Sequence, residues 1–255
     1  MDDGVVDVVF QPILDTRSGK AIEHEALSRS AKEEMGVQKL FLKYHSIGEL
    51  LALKKLCFRK QIEAAKAHGL DRVFINVDFQ LLEHLEHRRK PADVEVILEI
   101  SEKEALPDIE HHLAVTQEWK AEGFKFAFDD LGVGFISLPF LADLEPDYIK
   151  LDRLTILQAV ASEEFGGFLN HVVQALWHYA PQGIVAEGIE SEEELAVAEQ
   201  MGIHLVQGHL FGKPEPIDLI KRGSIDRLSR RVGRLPLHRA GRDDGLSGDP
   251  GTPPH

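Results

Sequence analysis

Two adjacent aspartates, Asp129 and Asp130, end an apolar run in the stretch FKFAFDDLGVGF, residues 124–135, and a loop with Gly132 and Gly134 follows them. Asp favours turn starts and helix N-caps, and Gly supplies positive φ, so a plain turn is one interpretation of the pair. Two carboxylates at the end of a buried strand are also suited to holding a divalent cation. The elements that position the pair decide between these interpretations.

Short runs rich in β-branched and aromatic residues recur along the chain, and each ends on a polar or charged residue. Besides FAFDD (126–130) they read VFIN (73–76), VILE (96–99), YIKLD (148–152), IVAE (184–187) and HLVQ (204–207). Near-continuous apolar runs of this kind are typical of strands buried on both faces of a parallel sheet.

Stretches of helical period lie between these runs, at residues 48–69, 104–123, 162–180 and 191–202. The last of them opens with Ser191 followed by Glu194, the spacing of a capping box. Alternating strands and helices over about 250 residues predict an α/β fold of the TIM-like (β/α)8 barrel type.

In such a barrel the carboxyl ends of the strands form one face, where active sites lie. Polar residues gather on this rim: Asn76, Glu99, Asp129, Asp130, Lys150, Asp152, Glu187 and Gln207, with Glu25 of KAIEHEAL in addition. So many carboxylates at one mouth repel each other unless cations compensate them. Oxygen ligands with an amide among them favour Mg²⁺ or Mn²⁺ over zinc. Asp129 could then bridge two ions while Asp130 holds one.

Seven motifs follow one another in a familiar order: HEAL with Arg29, FIN, LEISE, FDDLGVGF, YIKLDR, VAEGIE and VQGHLFGKPEP. In order and approximate spacing they resemble the EAL domain, a family of bacterial cyclic di-GMP phosphodiesterases on a modified TIM barrel. The resemblance runs from about Val8 to Pro216. Each motif is weak by itself, and it is their ordered combination that is specific.

The resemblance implies a two-metal site that hydrolyses cyclic di-GMP to linear pGpG. One Mg²⁺ or Mn²⁺ ion would be held by Glu25, Asn76, Glu99 and Asp129, and the second by Asp129, Asp130 and Glu187. Lys150 and Gln207 would orient the water shared between the ions.

Five further positions carry roles implied by the same resemblance. Gln11 and Arg29 match residues that contact the dinucleotide, Arg29 through phosphate. Glu190 matches a supporting active-site position, and Asp152 matches an aspartate beside the substrate that supports the ligands. Glu102 matches a glutamate that pins the loop after the aspartate pair.

The chain departs from the family pattern in that loop. Residues 130–137 read Asp-Leu-Gly-Val-Gly-Phe-Ile-Ser, where active members commonly read Asp-Phe-Gly-Thr-Gly-Tyr-Ser-Ser. Val133, Phe135 and Ile136 thus lack hydroxyls found in those members. His209 stands where Tyr is frequent, and Val77 with Asp78 replaces a common Leu-Ser. None of these positions is an expected metal ligand, so the pattern favours retained activity with altered rate or regulation.

Ordinary roles remain open for each residue taken alone. Asn76 and Glu187 could cap helices, Glu99 and Glu102 could form a first helical turn, and Gln207 could belong to a plain turn. Gln11 and Arg29 could be rim polar groups. At the level of the protein, a receptor that binds cyclic di-GMP without cleaving it and signals through a protein partner is the alternative. An adaptor without nucleotide affinity is a weaker one.

Composition bounds these hypotheses. The net charge of −14 argues against a general nucleic-acid surface, and no apolar run is long enough to span a membrane. The N-terminus lacks a signal-peptide pattern, and the single cysteine, Cys57, is typical of a buried residue in a reducing cytoplasm. Residues 1–220 predict the barrel, and 221–255 a terminal helix end with a poorly ordered basic, Pro- and Gly-containing tail. We expect a homodimer.

Overall fold

A computed structural model describes residues 3–32, 34–86, 90–101, 109–132 and 138–220, without the side chains of 138 and 139. Eight strands form the barrel: β1 (Val6–Asp15), β2 (Lys20–Ser30), β3 (Arg72–Val77), β4 (Glu95–Ser101), β5 (Lys125–Leu131), β6 (Tyr148–Leu151), β7 (Gly183–Ala186) and β8 (Leu205–Val206). A short 3₁₀ helix, Asp3–Val5, precedes them. The helices are α1 (Val37–Ser46), α2 (Leu50–Ala67), α3 (Phe79–His84), α4 (Ile109–Ala121), α5 (Leu138–Leu144), α6 (Arg153–Ala161), α7 (Glu163–Leu176) and α8 (Glu192–Gln200).

The sheet closes on itself in sequence order from β1 to β8. Strand β1 is antiparallel to both of its neighbours, β2 and β8, while the pairs from β2 through β8 are parallel. A tight hairpin joins β1 to β2, which is the connection that antiparallel neighbours allow and parallel ones do not. The fold is therefore a modified (β/α)8 barrel, as the sequence predicts.

Several helices begin at a side chain that accepts a hydrogen bond from a backbone N–H of the first turn. Asp78 caps α3, Asp152 caps α6, Ser162 caps α7 and Ser191 caps α8. Such caps satisfy donors that a helix leaves unpaired at its start. Two of them, Asp78 and Asp152, come directly after the last residue of a strand, β3 and β6. The chain therefore turns into a helix at the rim of the barrel.

The apolar core has two layers, separated by the sheet. Residues on alternate strand positions fill the barrel interior: Ile13, Phe74, Ile97, Ala127, Tyr148, Val185 and Leu205. Their neighbours along the strands, such as Ile75, Leu98 and Ile149, point outwards and pack with the helices. Both faces of the strands are thus buried, which explains their near-continuous apolar runs.

The predicted elements are confirmed with shifted ends. The helix expected at 162–180 spans Glu163–Leu176, and the one expected at 191–202 spans Glu192–Gln200. Strand β8 contains only Leu205 and Val206 of HLVQ. The stretch after YIKLD forms a separate helix, α6, which the sequence patterns missed. Cys57 is buried. The predicted tail at 221–255 lies outside the described residues, and among the described helices none is long and apolar enough to cross a membrane.

Candidate active site

One polar layer lies directly above the inner apolar layer of the barrel. Because side chains on a strand alternate between its faces, residues two positions beyond the inner core point to the same interior. Moving two residues from each inner core position towards the rim reaches Gln11, Asn76, Glu99, Asp129, Lys150, Glu187 and Gln207. Glu25 joins them, two residues beyond the buried Glu23 of β2. Seven of the nine residues predicted for the rim therefore lie in one layer, together with Gln11.

The adjacent aspartates reach the same site because strand β5 bulges between them. Phe128 pairs with Ile149 but Leu131 pairs with Leu151, so β5 has one residue more than β6 over this stretch. Asp130 takes up the irregularity with a φ of 60°, a conformation that Asp tolerates better than most residues. Carboxylate oxygens of Asp129, Asp130 and Glu187 consequently lie within 4.8 Å of one another. A regular strand would send consecutive side chains to opposite faces.

Lys150 is the central cation of the site and is only 1% exposed. Its ammonium lies 2.5 Å from Glu187 Oε1 and 2.6 Å from Glu99 Oε1. Asp129 Oδ1 and Glu25 Oε2 lie further away, at 3.4 and 3.8 Å. One buried positive charge thus faces four carboxylates, which leaves the site with excess negative charge unless protons or cations bind.

Amide side chains connect these carboxylates around the rim. Asn76 donates hydrogen bonds to Glu25 Oε1 at 2.7 Å and to Glu99 Oε2 at 3.0 Å. Gln207 donates to Glu25 Oε2 at 2.6 Å and to Gln11 Oε1 at 3.2 Å. Glu25 therefore receives one amide donor on each oxygen, and its orientation is fixed from both sides.

The protonation of the site reflects burial and crowding. Burial raises the pKa of Glu99 well above its usual value, and Glu25 and Asp129 add to the rise while Lys150 opposes it. Burial likewise raises the pKa of Asp129, and it raises that of Glu187 to about 8 against the opposing charge of Lys150. Burial alone would lower the pKa of Lys150, but the surrounding carboxylates outweigh it and raise that pKa well above its usual value.

These donors fit a divalent cation. Asp129 Oδ1 is buried and accepts no hydrogen bond from the described residues, so one ligand position is available. Asp129, Asp130 and Glu187 supply only carboxylate oxygens, which suit Mg²⁺, Mn²⁺ or Ca²⁺ better than zinc. Ser101 donates a hydrogen bond of 3.0 Å to Asp130 Oδ2 and so orients that carboxylate. Sequence reasoning missed Ser101, although it stands inside the quoted LEISE motif.

The backbone positions of Glu187 and Gln207 depend on a close approach between two loops. The Ile189 amide donates to the Gln207 carbonyl at 2.9 Å, and the Leu210 amide donates to the Ile189 carbonyl at 3.0 Å. A Cβ added to Gly208 would lie 2.1 Å from the Ile189 carbonyl oxygen. Only glycine allows the two backbones this near, which explains the glycine after Gln207.

A cleft of about 250 Å³ opens over this layer, with Gln11, Glu25, Glu187 and Gln207 on its floor. Asp152, Arg153, Glu190 and His209 lie along its wall. Asp152 caps α6 through a 2.7 Å hydrogen bond from the Leu154 amide. Glu190 forms an ion pair with Arg153, at 2.6 Å, and lies 3.4 Å from His209 Nδ1.

One predicted residue, Arg29, stands apart from this set. Arg29 lies on β2 four residues beyond Glu25, on the same strand face, and donates to the Ser28 carbonyl at 3.0 Å. It makes no described contact with the carboxylates. Glu102 lies outside the described residues, as do Val133, Phe135 and Ile136 of the altered loop.

The structure excludes three of the ordinary roles left open for single residues, those of Asn76, Glu187 and Glu99. Asp78 and not Asn76 caps α3, and Ser191 and not Glu187 caps α8. Glu99 lies in strand β4 and not in a helix.

Arg153 is a second residue that sequence reasoning missed. Its position as first residue of α6 was the available signal, since a cation at a helix N-terminus opposes the helix dipole.

Comparison with known proteins decides the family. The family model of the EAL domain matches residues 2–214. The chain belongs to the EAL domain family. Among curated relatives, the probable cyclic di-GMP phosphodiesterase PdeD of Escherichia coli K12 is 32% identical over 123 residues, which are 48% of this chain. The match spans 23% of the length of PdeD.

Solved structures of EAL proteins share the fold. The phosphodiesterase PaMucR in complex with c-di-GMP superposes with a TM-score of 0.68 at 23% identity, covering 85% of this chain and 94% of PaMucR. BlrP1 of Klebsiella pneumoniae, solved at pH 6 with manganese and c-di-GMP, gives a TM-score of 0.74 at 23% identity, covering 83% of this chain and 56% of BlrP1. At this level of identity the comparison establishes the modified barrel of this EAL domain.

Proposed function

We propose that this EAL domain hydrolyses cyclic di-GMP to linear pGpG with the help of two divalent metal ions. The observation that carries the proposal is the complete layer of carboxylates and amides around Lys150 at the carboxyl end of the barrel. Relatives of the family are named for cyclic di-GMP hydrolysis, and a related fold was solved with manganese and this nucleotide.

The carboxylates would divide between two Mg²⁺ or Mn²⁺ ions. Glu25, Asn76, Glu99 and Asp129 would hold the first, and the neighbouring group of Asp129, Asp130 and Glu187 would hold the second. Bound there, such ions lower the pKa of a water, clamp the scissile phosphate and stabilise the leaving 3′ oxygen.

The remaining residues act on the water and the nucleotide. Gln207 is fixed between Gln11 and Glu25, and its buried Oε1 accepts no hydrogen bond from the described residues. The Gln207 oxygen can accept a hydrogen bond from the attacking water, and the Lys150 ammonium can donate a hydrogen bond to the same water. Gln11 and Arg29 would bind the dinucleotide, Arg29 by a charge-assisted contact to phosphate. Asp152 and Glu190 would support the cleft wall, and Glu102 the loop after the aspartates.

Incubation of the purified chain with cyclic di-GMP and Mg²⁺ or Mn²⁺, followed by chromatography, tests this function. We expect pGpG to appear with the intact chain and to disappear with Glu25→Ala, which removes the acceptor shared by Asn76 and Gln207. Nucleotide binding without cleavage would contradict the proposal and favour the receptor that signals through a protein partner. A homodimer is part of the proposal, and light scattering on the same samples checks it.

A further inference from the structure

The segment 187–191 joins β7 to α8 and carries Glu187 into the site. Its backbone is held on both sides, because the Glu187 amide donates to the Leu151 carbonyl at 3.0 Å and the Ile189 amide to the Gln207 carbonyl at 2.9 Å. Between these anchors Gly188 has a φ of 63°, in the left-handed region. The direction in which Glu187 leaves the strand therefore depends on what keeps this turn closed.

The side chain of Arg153 packs directly against the turn. A Cβ added to Gly188 would lie 2.6 Å from Arg153 Cβ and 2.8 Å from Arg153 Cδ. These distances mean that the aliphatic stem of Arg153 occupies the space above the Gly188 backbone. The stem thus limits how far the turn can open towards α6.

The guanidinium of Arg153 connects the turn to α8. Its Nη2 lies 2.6 Å from Glu190 Oε2 and 3.4 Å from Glu194 Oε1. Glu194 is only 5% exposed, and its other oxygen accepts a hydrogen bond of 2.8 Å from the Glu190 amide. Arg153, at the start of α6, therefore binds the side chain of Glu190 at the end of the turn. It also binds Glu194, whose carboxylate accepts the hydrogen bond from the Glu190 backbone.

Helix α6 gains nothing from this arginine at its first position. A positive charge at a helix N-terminus interacts unfavourably with the macrodipole. Asp152 already caps the helix, and an acidic or neutral residue would suit position 153 better on local grounds. The placement of Arg153 is therefore explained by its contacts with segment 187–191 and not by helix formation.

We infer that Arg153 is a positioning residue for Glu187. No described ion pair joins Arg153 to Glu187 itself, whose carboxylate lies against Lys150 and near Asp129 and Asp130. Arg153 acts through the backbone turn at Gly188 and sets the angle at which Glu187 enters the acidic site. The inference rests on the proposed function, since the group that is positioned is an expected metal ligand.

Calorimetric titration of the full chain with Mn²⁺, without nucleotide, tests this role. We expect Arg153→Met to weaken Mn²⁺ binding about 10- to 100-fold, the range found when groups that orient metal ligands are removed. Arg153→Lys keeps the charge and much of the stem but replaces the planar guanidinium, whose Nη2 contacts both glutamates, by a more strongly hydrated ammonium. Its Mn²⁺ affinity should therefore lie between those of the unchanged chain and Arg153→Met. Arg17→Met is the matched control, because Arg17 pairs with Asp15 in the β1–β2 hairpin and is 66% exposed.

Hydrolysis kinetics on the same variants separate positioning from substrate contact. A positioning role predicts a lower kcat that rises again at high Mn²⁺. If Arg153→Met instead raised KM alone and bound Mn²⁺ like the unchanged chain, the inference would be wrong and Arg153 would contact the substrate.

Gly188→Ala is a second variant for the case that Arg153→Met does not fold, as judged by circular dichroism. It keeps the charge of Arg153 but displaces its stem, and we expect the same loss of Mn²⁺ affinity. If Arg153→Met or Gly188→Ala folds and binds Mn²⁺ as tightly as the original chain, the inference is overturned. It is also overturned if the original chain binds no Mn²⁺. Mn²⁺ binding without hydrolysis overturns only the proposed activity.

Discussion

Replacing Lys150 by Met removes the central cation while keeping most of the side-chain volume. Lys150 is 1% exposed and lies within 4 Å of four carboxylates, two of them at 2.5 and 2.6 Å. Without metal, the folded variant carries one more uncompensated negative charge in a buried site. We therefore expect a large loss of folding free energy in the presence of a chelator.

The size of the loss follows from the least costly compensation, which is proton uptake by one further carboxyl group. A glutamate has a usual pKa of 4.5. Protonating it at about pH 7.5, three units higher, costs about 4 kcal/mol at 1.36 kcal/mol per unit. This agrees with the roughly 3–5 kcal/mol measured when one partner of a buried ion pair is removed. At about pH 5.5 the same step costs only about 1.4 kcal/mol, so the loss shrinks as pH falls.

Urea denaturation of Lys150→Met with a chelator, at these two pH values and again with Mn²⁺, measures the effect. Bound Mn²⁺ supplies positive charge and should recover part of the loss. Lys66→Met is the matched control, because Lys66 is 45% exposed and lies 3.9 Å from Asp93, a pair worth about 0–1 kcal/mol. A loss below about 1 kcal/mol near pH 7.5, or one that does not change with pH, would refute the reasoning.

Three further outcomes follow from the same site. Gly208→Ala should destabilise the fold by about 1–3 kcal/mol in urea denaturation, because the added Cβ meets the Ile189 carbonyl. Gly167→Ala in helix α7, where a Cβ meets nothing within 4 Å, should instead stabilise the fold by about 1 kcal/mol. Equal effects of the two substitutions would contradict the close approach at Gly208. Burial raises the pKa of Glu187 from its usual 4.5 to about 8. Its proton therefore stabilises the fold fully below pH 4.5, and this contribution is lost as the pH rises towards 8. Mn²⁺ must displace the same proton in order to bind. Calorimetric Mn²⁺ affinity should therefore rise up to about tenfold per pH unit below 8, and a flat profile would be inconsistent with that competition. Asp130→Ala should be less stable than Asp130→Asn by about 1 kcal/mol in thermal unfolding, because Asn tolerates a φ of 60° better, and equal stabilities would mean that the bulge is unstrained.

The residues of the polar layer could be predicted because each follows an apolar strand in the chain. Asn76, Glu99 and Lys150 are set two positions beyond an inner core residue by strand geometry alone, so a correct choice of strands places them. The antiparallel direction of β1 is different, because it depends on the hairpin to β2 and on closure against β8, which local patterns do not encode. Gln11 was accordingly identified by resemblance and not by its strand.

Contacts between distant parts of the chain were beyond sequence patterns. The bulge that turns Asp130 towards Glu187 depends on the register between β5 and β6, and the sequence carries no local sign of that register. The contacts of Arg153 with Gly188 and Glu190 join residues from different βα units. The exact ends of the short strands β7 and β8 were also missed. Glu187 and Gln207 were predicted as the last strand residues, but each lies just after its strand and is held by loop contacts.

Hydrolysis of cyclic di-GMP in ¹⁸O-labelled water with Mn²⁺, analysed by mass spectrometry, tests the central claim most directly. Attack by a bound water that expels the 3′ oxygen predicts one product, linear pGpG, with a single ¹⁸O in its new 5′-phosphate. Glu25→Gln, which cannot offer two carboxylate oxygens to Asn76, Gln207 and a metal ion, should give no labelled product. Intact nucleotide after incubation with the unchanged chain, or pGpG without label, would contradict the account.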